Sequence, residues 1–261
     1  MVYGAGSSPM QRLYVKGNRN LKGISISEMP ETLVNVLAQN ERTKDTIVAI
    51  VEAIADSALY CENASRFSNM GVLKDLVRLL SEAPDFRSYI VHISIEAIWN
   101  LIEVIGPGAI ESMASQQEIV LSLRTPFQRV LKEGYKLDDR CLRNEILILI
   151  NYIVTSPASH KFMLERDSDN HPNFLETLIW YATHDELNQQ INFVGDGTSK
   201  SIKPLFTTRD EDVEFKKLLW TSILYTSRTP ENARAHQTLI DKEFIHALMV
   251  YIDPNNNSMT T

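Results

Sequence analysis

Four apolar segments of this chain each carry one polar residue near the C-terminal end, then break and begin again. The polar residues are Asp56, Asn100, Asn151 and Ser222. No helix of such a set can bury its apolar face alone, so the stable arrangement is a stack in which each unit covers its neighbour. Asn100 follows Asp56 by 44 positions, within the ~40–47 residues of armadillo and HEAT repeats. Asn151 follows after 51 and Ser222 after a further 71. The period predicts an all-α, armadillo/HEAT-like α-solenoid of about four helical repeats, with function residing in surface rather than in a pocket.

The first repeat begins near Thr43, where Ile47, Ile50, Val51, Ile54, Ala55 and Ala58 lay one apolar stripe at spacings of three and four. A short piece over 61–69 follows, then an amphipathic helix opened by Gly71 and ended near Pro84. The order is long, short, medium. It recurs over 88–104, 107–114 and 118–132, and again over 139–155, 158–166 and 173–183. The fourth copy, over 211–227, 231–240 and 243–252, is delayed by an aperiodic stretch, 188–209, which reads as an exposed insertion. Pro107, Pro157 and Pro230 suit the first turn of a helix, where a missing N–H costs nothing, and Ser156 and Thr229 precede two of them as N-caps.

The expected organisation is a flexible basic segment over 1–27, a solenoid over 28–252 as one extended repeat domain, and a disordered tail over 253–261. The first segment holds Arg12, Lys16, Arg19 and Lys22 with no acid before Glu28, among glycine, serine and asparagine.

Twenty-six basic against 33 acidic residues give a formal charge of -7, which disfavours a partner recognised through its phosphates, so nucleic acid is not expected. No apolar run approaches the ~20 residues of a spanning helix, and the start lacks a signal-peptide block, so no membrane association and a cytoplasmic location are expected. Cys61 and Cys141 stand apart, without a Cys-x-x-Cys or a flanking histidine, and read as reduced core thiols. His92, His160, His171, His184, His236 and His246 are scattered, and no nucleophile elbow, His-Glu-x-x-His pair or phosphate loop occurs. Neither an enzyme site nor a cofactor or metal is expected. Asp210, Glu211 and Asp212 read as acids favouring a helix N-terminus.

Three stretches carry a family resemblance: Glu96-Ala97-Ile98-Trp99-Asn100-Leu101-Ile102-Glu103, the run Asp139 to Leu147, and the run Asp212 to Leu219. In this order they resemble cilia- and flagella-associated protein sixty-nine, an armadillo-type family of the ciliary central apparatus. The similarity spans about Gly71 to Tyr251 and rests on repeat residues, as in a fragment or short divergent relative. Family members are several times longer, and the insertion around Gly195 to Lys203 is larger here. The resemblance implies a structural role in the axoneme of a cilium or flagellum, holding projection proteins of the central pair and supporting movement. It brings no activity.

Asp56, Asn100, Asn151 and Ser222 are the candidate partner-binding residues. Regularly spaced amides on a concave face could clamp an extended peptide backbone. The plainer alternative, which is preferred, has each satisfy a backbone group at a tight helix junction. Nuclear-import armadillo proteins pair the asparagine with a tryptophan one turn earlier, whereas Glu96, Leu147 and Leu218 stand at those positions here. Trp99, Trp180 and Trp220 read as core, with at most one exposed. The basic arm over 1–27 could touch the acidic surface of microtubules, the plainer reading being a solvated tail. The rival function from another class is a soluble armadillo adaptor that reads a linear peptide in its groove.

Overall fold

The computed structural model describes residues 28–39, 43–134, 136–166, 172–183, 210–228, 232–242, 244–245 and 248–249. Every regular element among them is helical. The helices are α1 (Met29–Ala38), α2 (Lys44–Ser57), α3 (Cys61–Asn69), α4 (Val72–Glu82), α5 (Tyr89–Ile105) and α6 (Pro107–Ala114). They continue with α7 (Gln117–Glu133), α8 (Leu137–Val154), α9 (His160–Met163), α10 (Phe174–Thr183), α11 (Asp210–Ser227) and α12 (Ala233–Asp241). The basic segment 1–27, the insertion 188–209, the tail 253–261, and Thr229 and Pro230 lie outside the described residues.

Local chemistry sets the helix ends. Thr43 Oγ1 accepts the Thr46 amide at 3.2 Å to open α2. Gly71 enters α4 at φ +78°, a left-handed conformation that suits glycine. Ser156 Oγ accepts the Ala158 amide at 3.3 Å, and Pro157 begins the 3₁₀ turn that leads into α9. Asn232 accepts from the Ala235 amide to open α12, three residues beyond Thr229.

The chain divides into two compact units between Met113 and Ala114. In the first, α2 packs along α5, α4 packs on α5 and α1 on α2. In the second, α8 packs along α11, with α7 on α8 and α10 on α11. Each long helix therefore belongs with the short and medium helices that precede it, so the packed repeat reads short, medium, long. The sequence gives the period but not its phase, and the expectation of a unit opening on its long helix is corrected accordingly. It also passed over α1, whose Pro30, Val34 and Leu37 are buried and which Arg66 of α3 grips through Glu31.

Burial explains the stack. Phe67, Leu76, Ile98 and Leu101 fill the first unit. In the second, Phe127 lies 5.9 Å from Phe174 and 6.5 Å from Phe215, joining α7, α10 and α11. Each such side chain contributes about 1.5–3 kcal/mol.

Candidate partner-binding surface

A long helix ends with four backbone carbonyls that its own amides cannot reach. Here a polar side chain of the next segment, six positions on, repeatedly supplies the donor. Asn63 Nδ2 bonds Ser57 O at 3.1 Å, Ser159 Oγ bonds Ile153 O at 3.1 Å, and Asn232 Nδ2 bonds Thr226 O at 2.9 Å. His160 Nε2 bonds Val154 O at 2.9 Å, again six positions on, and His236 Nε2, nine positions on, bonds Ser227 O at 2.7 Å. A carbonyl only accepts, so Nε2 carries the hydrogen in both rings. At the end of α5, Gly106 turns the chain at φ +73° instead.

The expected site residues fall on the paired faces of the long helices. Asn100 is buried, and its Nδ2 donates to Ala55 O at 2.8 Å, capping the end of α2 from the neighbouring repeat. Ala55 is the residue before Asp56, which is half-buried. Asn151 Nδ2 donates to Leu218 O and to Ser222 Oγ, each at 3.1 Å, and Ser222 is fully buried. The structure thus brings Asn151 and Ser222 together and places Asn100 beside the Asp56 position. Both amide NH2 groups are engaged inside the fold.

A buried polar network joins α8 to α11. Arg143 Nη2 donates to Asp212 Oδ1 at 3.1 Å and to Glu211 O at 3.2 Å, and its guanidinium lies 3.9 Å from the Phe215 ring centre. Arg140 Nε stands 3.8 Å from the same carboxylate, and Asn144 Nδ2 donates to Glu211 O at 2.8 Å. Burial lowers the Arg143 pKa, and Asp212 opposes that. Asp212 therefore does more than favour a helix start: it is the counter-ion of an arginine that is almost fully buried. Lys216, also buried, donates to Tyr181 O at 2.6 Å and closes the end of α10. Sequence reasoning missed these roles, although Arg140, Arg143, Asn144, Asp212 and Lys216 all lie in the runs that carry the family resemblance.

The cysteines differ from expectation. Both are free and both are exposed. Cys61 shares the outward stripe of α3 with Ser65 and Asn69, and Cys141 shares one with Glu145 between the buried rows of α8. Burial and then the negative charges of Glu211, Glu145, Asp138 and Glu214 push the Cys141 thiol up. Trp99, Trp180 and Trp220 are all half-buried, Trp220 packing 4.9 Å from Phe244. His171, His184 and the His246 side chain lie outside the described residues. Among the described residues no group of three histidine, cysteine or acidic side chains is placed to hold a metal, and no helix is long and apolar enough to cross a membrane.

Helices in short, medium and long succession, with long helices packed side by side and capped from the next repeat, define an armadillo-type repeat protein. Residues 10–261 match the family model described as "Cilia- and flagella-associated protein 69, ARM repeat". The chain belongs to that family. It is 32% identical over 169 residues to cilia- and flagella-associated protein 69 of Mus musculus, and 30% identical over 169 residues to those of Homo sapiens and Papio anubis. Each match covers 65% of this chain and 16% of the relative.

Proposed function

We propose that this chain is a non-enzymatic scaffold that holds proteins together in a cilium or flagellum, among the projections of the central pair of microtubules. One observation carries the reading: residues 10–261 match the armadillo-repeat model of a family named for cilia and flagella. The packing supports it, since a repeat stack presents surface at every unit while its polar groups are spent on holding helices. The partners are other proteins, and neither nucleic acid nor membrane is among them.

The basic segment 1–27 adds a contact with the acidic surface of microtubules. Removing residues 1–27 then lowers salt-sensitive co-sedimentation with microtubules, and unchanged binding refutes the contact. Asp56, Asn100, Asn151 and Ser222 act in this reading by fixing the helix register that partners meet. Asn151→Ala lowers stability and partner recovery together, whereas a direct clamp on a peptide would lose the partner at unchanged stability.

The deciding experiment is affinity purification of the tagged chain from a ciliated cell, followed by mass spectrometry. Recovery of central-pair proteins is the expected result. Recovery of import or signalling machinery without them would overturn the scaffold and leave the peptide-reading adaptor.

A further inference from the structure

The second unit contains a groove of about 470 Å³ between the medium helices α7 and α10. Leu131, Pro172, Ile179 and Trp180 give it apolar walls. A space of this size accepts one or two bulky side chains and lies within the range of small-ligand sites. It lies on the medium helices, whereas the expected site residues occupy the long ones.

The charge around this groove is unlike that of the chain as a whole. Glu176, 6% exposed, lines it and accepts from Arg166 Nη2 at 2.6 Å and from the Asn173 amide at 2.8 Å, with Lys242 Nζ at 3.4 Å. Among the described residues, two cations on one carboxylate leave a surplus positive charge. Lys132, exposed on the rim, adds another, and no carboxylate pairs with it among the described residues. A chain of net charge -7 therefore sets an apolar groove under a cationic rim.

We propose that this groove docks an acidic peptide segment of a partner protein, one apolar side chain seated against Leu131 and Trp180 and flanking carboxylates reaching Lys132 and Lys242. The apolar wall supplies affinity by desolvation, and the lysines set orientation and reject basic sequences. The site is independent of the ciliary assignment, so either can fail without the other.

The test is fluorescence anisotropy with the full 261-residue chain and a labelled pool of hexapeptides Glu-Asp-X-X-Asp-Glu, X being Leu, Ile, Met, Phe, Tyr or Trp. The comparison pools replace either the acids by Gln and Asn or both X positions by Ser. Saturable binding of the first pool alone, weakening with salt, is expected. Lys132→Glu lowers it about tenfold, as loss plus reversal of a rim contact allows. Gln128→Trp, which plugs the groove from α7, abolishes it while thermal melting shows the fold retained. The proposal is overturned if the first pool fails to saturate by about 1 mM, if the neutral pool binds equally, or if neither variant changes binding. Binding seen only after deletion of residues 186–207 would also overturn it, since the occupant would then be this chain itself.

Discussion

Asp212→Ala tests whether α8 and α11 are joined by charge or merely by packing. The Asp212 side chain is buried, and so is Arg143, whose side chain is 5% exposed. Removing one member of a buried pair costs about 3–5 kcal/mol, because the other is left charged and uncompensated. Two features reduce that figure here. Arg143 keeps Glu211 O at 3.2 Å and the Phe215 ring, and Asp212 Oδ2 has no hydrogen-bond partner among the described residues, so its own desolvation cost of about 1–3 kcal/mol is relieved. The expected loss is about 2–3 kcal/mol. Urea unfolding measures it best in a Trp99→Phe background, where Trp180 and Trp220 report the second unit alone. Asp212→Ala with Arg143→Met should be less destabilised than the sum of the single variants, by about 1.5–3 kcal/mol. A loss below about 1 kcal/mol, or strict additivity, refutes a network that couples the two helices.

Other perturbations separate the remaining contributions. Asn100→Ala strips the donor from Ala55 O and should cost about 1–2 kcal/mol of first-unit stability, read by Trp99 fluorescence in urea. Phe127→Ala opens a cavity where α7, α10 and α11 meet and should cost about 3–5 kcal/mol by the same titration on Trp180 and Trp220. Burial alone would raise the pKa of Glu176, but the Asn173 amide, Lys242 and Arg166 outweigh it and hold the carboxyl below its usual range. Its stabilisation is thus complete above about pH 4.3 and fades as pH falls through the depressed value. Melting temperatures against pH should show that acid loss diminished in Glu176→Gln. In Cys61→Ser, Cys141 should react with a disulfide reagent at pH 8 more slowly than a cysteine flanked by neutral residues in a short unstructured peptide, despite its exposure, because its raised pKa keeps thiolate scarce.

The helices were legible because their apolar stripes recur at three and four residues, and most ends fell within two residues of those expected. Pro126 lies inside α7, where it gives up an amide donor, yet Leu123, Phe127 and Val130 bury the same face and carry the helix through it. What escaped was relational. The period is the same whichever helix opens the repeat, so phase emerged only from which helices touch. Asp212 sits three residues into a helix with two other acids, a pattern fully explained by the dipole until Arg143 is placed beside it. Asn63 and His160 look like ordinary surface choices in one dimension, and only the return of the chain six positions later brings them to a carbonyl. The cysteines misled because a thiol's ordinary preference for burial outweighed the finer signal of Ser65, Asn69 and Glu145 on the same stripes.

The junctions also explain where the chain varies in length. Each fully described turn from a long helix into a short one depends on a side chain or a positive-φ glycine close behind the helix end, and these turns are brief: 58–60, 106 and 155–156. An insertion there would carry the donor away from its carbonyl and leave a helix end unsatisfied, at about 1–3 kcal/mol per group. The stretches of chain between a medium helix and the following long one vary far more in length, from 134–136 through 83–88 to 184–209. Lengthening such a connection fourfold adds only about 1 kcal/mol of closure entropy. Lys216, reaching from α11 to the carbonyls of Tyr181 and Ala182, fixes the end of α10 regardless of how much chain intervenes. Sequence can therefore be added at the medium-to-long connection without disturbing the stack. That connection leaves α10, the helix that forms one wall of the cationic groove, so change there alters the surroundings of a docking surface and spares the register of the repeats.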